Sequence, residues 1–233
     1  MSLWSQVWVG RALKISRRKA ELLIREGKVY YNSRLVVLGE KIPLNASLLI
    51  DHQPWVLVES QPKIIAYHKP KFELCTVSDD RGRKTVCDRF SEHLIPIGRL
   101  DYETTGLLLL TNHGPWVHSI IHPSQHIDKV YEVSFDQSYK KNFNSGRLLI
   151  GFEADDGLLK IDEIYKIREN NHIITVTLKI SYGKNRMIRR LFEYLSIPSI
   201  DLKRISIGPI ELNELEVGQW RELSLKEQDL LIK

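Results

Sequence analysis

One carboxylate and one guanidinium lie two positions apart, directly ahead of the most apolar run in the chain. Arg99 and Asp101 precede Gly106, which permits a turn, and four consecutive leucines follow at positions 107–110. Four leucines between turn residues predict a strand that is buried on both faces. An unpaired carboxylate beside such a strand would be costly or would become protonated. Asp101 therefore belongs either to a chemical site or to a buried ion pair, and the Arg-x-Asp pattern alone leaves both open.

Two further segments could bind anions or aromatic rings. Residues 183–190 carry four cations at a predicted strand-to-helix junction, where a solvated helix face is the competing interpretation. Tyr131 lies in an alternating segment that predicts a strand, and a half-buried strand tyrosine is common. Neither segment identifies a site by itself.

The first fifty residues predict a compact unit of two helices and short strands. Trp4 and Trp8 recur at helical spacing and predict a first helix at residues 3–14. Ser16 is a predicted N-cap for a second helix at residues 17–26. The predicted strands of this unit are 28–32, 34–38 and 47–51.

The second predicted helix is rich in cations. Arg17, Arg18 and Lys19 form its first turn, Arg25 lies near its end, and Lys28 follows it. Cations at a helix N-terminus oppose the helix dipole, which suggests that an external anion compensates them. A solvated helix surface is the alternative.

The domain organisation follows from prolines and from a change of pattern. Pro54 and Pro62 mark residues 53–63 as a linker, so we predict a small domain at 1–52 and a larger one at 64–233. The larger domain has an α+β pattern with an antiparallel mixed sheet. Its predicted strands are 64–68, 107–111, 130–135 and 173–180, and residues 180–195 pass from strand to helix.

Composition sets broad limits on the class of protein. The 233 residues include 42% hydrophobic residues and carry a formal net charge of +5, which suits a polyanionic partner only weakly. Cys75 and Cys87 are not spaced as a metal pair or a secreted disulfide framework. His118, His122 and His126 are spaced by four residues, but Pro123 interrupts a helix there, so we expect no metal site. No segment has the length and apolarity of a membrane span.

Residues 98–112 closely resemble the active-site signature of the RsuA/RluB-type rRNA pseudouridine synthases. The resemblance recurs at residues 69–70, 129–133, 183–190 and 201–208, and residues 73–89 resemble the large-subunit branch. The first fifty residues resemble an S4 RNA-binding domain at residues 16–24, 27–29 and 38–39, with Ser33 where a turn glycine is usual.

The resemblance implies a role for each site residue. Asp101 would be the catalytic carboxylate, and Arg189 would pair with it. Tyr131 would stack on the target base, Leu202 would form an apolar wall beside the uracil, and Arg99 would fill the space left by the flipped nucleotide.

The remaining cations would bind RNA phosphates. In the larger domain these are Lys184, Arg186 and Arg190. In the S4-like domain they are Arg17, Arg18, Lys19, Arg25 and Lys28. Met187 stands where the family more often has glutamine.

The resemblance therefore predicts a cytoplasmic, monomeric enzyme that isomerises one uridine in ribosomal RNA without metal or cofactor, and it favours 23S rRNA. The partner would be an rRNA stem-loop, free or in a pre-ribosomal particle, and no membrane. Two alternatives stay open: the same reaction on 16S rRNA, and a non-catalytic RNA-binding assembly factor. A glycosidase using Asp101 with Glu103 is disfavoured, because no tryptophan cluster for sugar stacking accompanies the pair and the basic segments favour a phosphate-rich substrate.

Overall fold

The computed structural model describes residues 2–57, 61–198 and 200–232. Contacts divide the chain into two compact units, Met1–Pro62 with Thr76–Ile95 and Lys63–Cys75 with Pro96–Lys233. Residues 76–95, which we predicted to lie in the catalytic domain, therefore group with the first unit. Within that unit the Lys19 ammonium lies 2.5 Å from a carboxylate oxygen of Asp80.

The first unit contains two helices and short strands. They are β1 (Ser2–Trp4), α1 (Ser5–Leu13), α2 (Arg17–Arg25), β2 (Val29–Tyr31), β3 (Arg34–Leu35), β4 (Lys41–Pro43), β5 (Ser47–Ile50) and β6 (Gln53–Val56). One sheet has the order β3-β2-β5-β6, and β1 pairs with β4. The core includes the fully buried Trp8, Ala20 and Leu48. The Ser16 side chain accepts a hydrogen bond from the Lys19 amide at 3.3 Å, so it caps α2 as predicted.

The predicted start of the first helix was wrong by two residues. Leu3 and Trp4 form strand β1, and α1 begins at Ser5 because Trp4 has an extended backbone and acts as the N-cap residue. The Trp4 side chain is 48% exposed. Its ring lies under the Lys41 ammonium at 3.8 Å, which suits a cation–π contact on the surface.

The predicted linker is partly a strand. Gln53–Val56 pairs with Ser47–Ile50 as the edge strand β6. An edge position tolerates Pro54, which cannot donate a ladder hydrogen bond. Proline in this segment was therefore a signal of a sheet edge rather than of a linker.

The turn between β2 and β3 places Asn32 and Ser33 at φ values of 50° and 61°. Two consecutive positive φ values define the tight turn that matches strand twist. Ser33 thus adopts the left-handed backbone that the usual glycine adopts without strain.

The second unit is built on a large mixed sheet. Its strands are β7 (Ile64–Lys69), β8 (Ile95–Ile97, which begins at the unit boundary), β9 (Thr105–Thr111), β10 (Lys129–Asp136), β11 (Phe152–Ala154), β12 (Gly157–Leu159), β13 (Glu163–Asn170), β14 (Ile173–Ile180), β15 (Asp201–Ile207), β16 (Ile210–Glu211) and β17 (Trp220–Glu222). Its helices are α3 (Gly114–Ile121), α4 (Ser145–Ile150), α5 (Met187–Tyr194) and α6 (Leu225–Leu231).

The strand order of the main sheet is β13-β14-β10-β15-β9-β7-β17, with β16 beside β15 and β8 beside β9. The β15–β9 pair is parallel, while the registers of the other neighbours along this path are antiparallel. Short β11 and β12 form a separate hairpin. This architecture confirms the expected α+β class with a mixed sheet.

Strand β9 runs through the core of the second unit. Leu107, Leu108, Leu109 and Leu110 are fully buried, as the apolar run predicted. Because β9 pairs with β7 on one side and β15 on the other, its N-terminal end is fixed from both sides. The turn that carries Asp101 enters the sheet at this end. In the described part of the chain, no helix is both long and apolar enough to cross a membrane.

Candidate active site

Asp101 opens the turn that leads into β9. The Thr104 amide donates to the Asp101 carbonyl at 3.0 Å, which closes the turn. The Asp101 side chain is 32% exposed, so its carboxylate is open to solvent on one side. The turn therefore presents a carboxylate at the end of a fully buried strand without enclosing it.

Lys69 holds the backbone of this turn from within the protein. It is the last residue of β7 and is fully buried. Its ammonium donates to the carbonyls of Pro70 and Thr104, each at 2.9 Å, and contacts the Tyr102 carbonyl at 3.5 Å. Burial lowers the pKa of Lys69, and the charge of Asp101 opposes that change. Lys69 thus connects the end of β7 to the turn through the main-chain oxygens of Tyr102 and Thr104.

Arg189 approaches the same turn from helix α5. Its Nε lies 3.7 Å from Oδ2 of Asp101, and its side chain is 8% exposed. Its Nη2 donates to the Thr104 hydroxyl at 3.1 Å and its Nη1 to the Ile200 carbonyl at 3.2 Å. The Nε has no hydrogen-bond partner among the described residues. Arg189 therefore contacts both the first and the last residue of the turn.

Tyr131 lies on β10, and β15 separates that strand from β9. Its side chain is nearly buried, at 7% exposure. A bulge between Val130 and Tyr131 changes the register with β15, and bulges re-aim the side chains beside them. After the bulge Tyr131 is directly opposite Arg204, whose Nη1 lies 3.4 Å from the tyrosine hydroxyl.

Leu202 lies two residues before Arg204 on β15. It is buried, pairs with Val133 of β10, and its carbonyl accepts from the Thr105 hydroxyl at 3.4 Å. Its backbone therefore contacts the first residue of β9, next to the turn that carries Asp101.

Gly106 allows β9 and β15 to approach this closely. It has φ +107°, and a Cβ there would lie 2.2 Å from the Arg204 carbonyl oxygen and 2.5 Å from its nitrogen. Only glycine avoids both the backbone strain and the clash. The glycine of the motif therefore sets the separation of the two strands at the site.

The other predicted phosphate-binding residues occupy different surroundings. Arg99 is exposed. Arg190 binds both carboxylate oxygens of Asp156, at 2.9 and 3.1 Å, and Lys184 donates to the Asp156 carbonyl. The hydrogen bonds from Arg190 lower the pKa of the Asp156 carboxyl. Arg186 is exposed and is the N-cap of α5 with φ 49°, so it precedes the helix.

Internal carboxylates partly neutralise the predicted RNA-binding cations of the first unit. Arg17 pairs with Glu21 at 3.1 Å, and Lys28 pairs with Glu26 at 2.8 Å. Since Lys19 pairs with Asp80 as described above, the helix dipole is opposed by fewer uncompensated cations than the sequence suggested. Among the described residues, Arg18 and Arg25 form no ion pair and face solvent.

Sequence reasoning missed three residues that organise the site. Lys69, Thr104 and Arg204 entered the sequence analysis only as members of the resembling segments, without a role of their own. Their roles depend on main-chain oxygens and on neighbouring strands, which leave no spacing signal in the sequence. One sequence signal could have identified Lys69, which ends an apolar predicted strand directly before Pro70. A lysine in that place is expected to be buried, and lysine is seldom fully buried without partners.

The geometry supports chemistry by a carboxylate. Asp101 combines partial exposure with a nearby guanidinium and a rigidly held backbone, so it can attack an electrophilic carbon or accept a proton. Within the described residues, no group of three histidine, cysteine, aspartate or glutamate side chains is placed to hold a metal ion.

The chain is similar to known proteins in both sequence and structure. A family model described as RNA pseudouridylate synthase matches residues 63–194. The chain is 37% identical to ribosomal large subunit pseudouridine synthase B of Vibrio cholerae, over 99% of this chain and 74% of that protein. It is 36% identical to the protein of the same name from Bacillus subtilis, over 90% of this chain and 87% of that protein. A solved structure described as a pseudouridylate synthase aligns with a TM-score of 0.63 and 27% identity, covering 99% of this chain and 100% of that one.

Proposed function

This chain belongs to the RNA pseudouridylate synthase family, and from that premise we propose that it isomerises a specific uridine of 23S ribosomal RNA. It is an enzyme of the isomerase class. The large-subunit substrate is supported by relatives from Vibrio cholerae and Bacillus subtilis that carry that name and align along nearly the whole chain. The single observation that carries the proposal is Asp101, held beside Arg189 inside the segment that the family model matches.

We assign the bond-breaking step to Asp101. The reaction breaks the bond between C1′ of ribose and N1 of uracil, turns the base, and forms a bond between C1′ and C5. In one route the Asp101 carboxylate attacks C1′ as N1 leaves, and the carboxylate is displaced when C5 bonds to C1′. In the other route it removes a ribose proton to give a glycal and returns that proton when C5 bonds to C1′. A proton leaves C5 and N1 gains one, so no co-reactant is required. Both routes need the partial exposure that the Asp101 side chain has.

The neighbouring side chains position the flipped nucleotide in this proposal. Tyr131 offers an aromatic face for the extruded base, and Leu202 offers an apolar wall. Arg99 is exposed and long enough to enter the space that the nucleotide leaves. Arg189 keeps the carboxylate oriented, because it also holds Thr104 at the other end of the turn.

We propose that the first unit anchors the enzyme on folded RNA as an S4-like module. Arg17, Arg18, Lys19, Arg25 and Lys28 would bind phosphates. Such contacts position a protein without reading sequence. Arg17, Lys19 and Lys28 would exchange their surface carboxylate partners for phosphates, which costs little because exposed ion pairs are weak. Arg18 and Arg25 are exposed and available without such an exchange.

In the second unit, Lys184, Arg186 and Arg190 are the proposed phosphate contacts. We propose that the enzyme acts as a monomer in the cytoplasm. Its substrate would be free rRNA or a pre-ribosomal particle.

The test is to map pseudouridine in both large rRNAs of cells with and without this gene. We expect one or a few 23S positions to lose the modification and to regain it when the gene is restored. Loss confined to 16S rRNA would assign the small subunit instead. Unchanged maps, together with a defect in ribosome assembly, would support a non-catalytic RNA-binding factor.

A further inference from the structure

Arg204 is the most deeply buried arginine side chain at the site. It is 3% exposed and lies on β15, between β9 and β10. Its Nε donates to the Leu107 carbonyl of β9 at 2.7 Å, and its Nη1 donates to the Tyr131 hydroxyl of β10 at 3.4 Å. We propose that Arg204 is a positioning residue that acts on the reaction through the hydroxyl of Tyr131. This inference rests on the proposed function, in which Tyr131 contacts the target base.

The register of the sheet makes this contact specific. Arg204 is the direct neighbour of Gly106 on β9 and of Tyr131 on β10. Because Gly106 has no side chain, β9 can approach the backbone of Arg204 closely. The bulge before Tyr131 places Tyr131 directly opposite Arg204. One side chain therefore spans the strand that follows Asp101 and the strand that carries Tyr131.

The charge of Arg204 argues against a purely structural role. In the described part of the chain it forms no ion pair with a carboxylate, and its Nη2 is buried without a hydrogen-bond partner. Burial lowers the pKa values of Lys69 and Lys129, and the Arg204 charge lowers them further. A buried charge that lacks a partner is costly, and apolar side chains fill such space with less penalty. The hydrogen bonds that Arg204 donates therefore explain an arginine at this position better than the filling of space does.

The donors of Arg204 fix how the Tyr131 hydroxyl can interact. A phenolic oxygen that accepts from a guanidinium must direct its own proton elsewhere. With Nε anchored on a main-chain carbonyl, the planar guanidinium has little freedom to turn. Arg204 thereby fixes both the orientation of the ring and the direction of its O–H relative to β9.

The experiment is a double-mutant cycle between Arg204→Met and Tyr131→Phe. Single-turnover rates are measured with excess enzyme on a full-length 23S rRNA transcript, and RNA affinity is measured in parallel. We expect Arg204→Met to slow conversion by about 10- to 100-fold, as for a lost hydrogen bond from a charged donor. RNA affinity should change less than about threefold, because this buried residue is assigned no phosphate contact.

Measuring Arg204→Met in the Tyr131→Phe variant distinguishes a positioning role of Arg204 from a purely structural role. There, Arg204→Met should cause no further slowing, because the hydroxyl through which it acts is gone. Equal slowing in both backgrounds, or unchanged rates in both, overturns the proposal. If Arg204→Met does not fold, Arg204→Lys gives the same comparison, since it keeps a charge and loses the planar fork. Arg168→Met is the matched control, because that exposed arginine pairs with Glu132 away from the turn.

A spectroscopic measurement keeps this inference separate from the proposed function. With 3-fluorotyrosine at position 131, the fluorine resonance should move in Arg204→Lys and stay in place in Arg168→Met. No movement in Arg204→Lys would overturn the contact itself. A wild-type enzyme that makes no pseudouridine on either rRNA would overturn the proposed function, whatever the resonance does.

Discussion

Arg189 and Asp101 meet at the beginning of a turn whose last residue, Thr104, is bound by the same arginine. The Nε–Oδ2 distance is 3.7 Å and the Nη2–Oγ1 distance is 3.1 Å. Lys69 contacts two backbone carbonyls of the same turn, those of Tyr102 and Thr104. The carboxylate is therefore positioned by its backbone as much as by its charge partner.

Asp101→Asn should abolish pseudouridine formation. The change keeps the size of the side chain and removes the anion that, in the proposed function, attacks C1′ or takes the ribose proton. RNA affinity should stay within a few fold, or rise slightly, because a negative charge beside RNA is lost. Pseudouridine is measured in a 23S transcript, and mass spectrometry of the protein excludes deamidation back to aspartate.

Glu103→Gln is the matched control for Asp101→Asn. Glu103 lies in the same turn and is exposed, and it would be the partner carboxylate in a glycosidase-like pair. We expect nearly normal activity from this variant. Inactivity of Glu103→Gln with a normal melting curve would favour a two-carboxylate mechanism.

Arg189→Leu should reduce both activity and stability. It removes the charge partner of Asp101 and two further hydrogen bonds. Breaking a fully buried pair costs ~3–5 kcal/mol, but Asp101 is 32% exposed. Solvent therefore offsets part of the loss, and we expect about 1–3 kcal/mol. The measurements are chemical denaturation and the rate of conversion.

The double variant Asp101→Leu with Arg189→Leu tests the origin of that cost. It should recover only part of the stability, because the Thr104 hydroxyl and the Ile200 carbonyl still lack their donor. It should recover no activity. An Arg189→Leu variant with an unshifted denaturation curve would mean that the pair contributes nothing to folding.

Gly106→Ala should disrupt the pairing of β9 with β15. A Cβ would clash with Arg204 backbone atoms at 2.2 and 2.5 Å, at a backbone φ of +107°. We expect a loss of at least about 3 kcal/mol, or an insoluble protein. Gly183→Ala is the control, since beyond the adjacent residues no atom lies within 4 Å of its added Cβ. Equal stability of the two variants would contradict the close approach of the strands.

Changing Arg17, Arg18 and Lys19 together to glutamine should weaken rRNA binding. The slope of log affinity against log salt should flatten by up to about three, since each phosphate contact contributes roughly 0.9. The rate at saturating RNA should stay near that of the wild type. Lys140, Lys166 and Lys226 changed to glutamine form the control, as exposed cations of the second unit. Slowing at saturation with unchanged affinity would contradict anchoring by α2.

His93 should make the first unit sensitive to acid. Burial, with the charges of Arg11 and Lys14, lowers its pKa from 6.5 to about 4. Between pH 6.5 and 4 the unfolded chain binds a proton that the folded chain does not, so stability should fall as the pH drops through this range. Urea denaturation at pH 7 and pH 4.5 should show a smaller difference for His93→Asn than for the wild type. His52→Asn, at an exposed histidine of the same unit, should keep the wild-type difference.

Elements with a strong local pattern could be predicted from the sequence. The four leucines identified β9, alternation gave the bounds of β14 (Ile173–Ile180), and Ser16 marked the start of α2. These features depend on residues close in sequence. The segment that resembles the family signature also placed Asp101 at the entrance to β9, because turn and strand adjoin.

The parts that could not be predicted depend on distant partners. Lys69 acts on carbonyls more than thirty positions away, at Tyr102 and Thr104. Trp4 fitted the helical period, but backbone pairing of β1 with β4 overrode it. The cations of α2 suggested an external anion, whereas Asp80, in a segment predicted to belong elsewhere, neutralises one of them. Periodicity carries no information about such contacts.

Because residues 76–95 group with the first unit, this unit cannot be exchanged between proteins as one continuous segment. The first unit is assembled from two stretches of chain, with residues 63–75 of the second unit between them. A recombination event at residue 62 would transfer only part of the module and would take residues 19 and 80, which form an ion pair here, from different parents. Exchange of this module between relatives therefore requires three junctions to change together. A chimera that carries 1–62 and 76–95 from one parent should fold better than one that carries 1–62 alone.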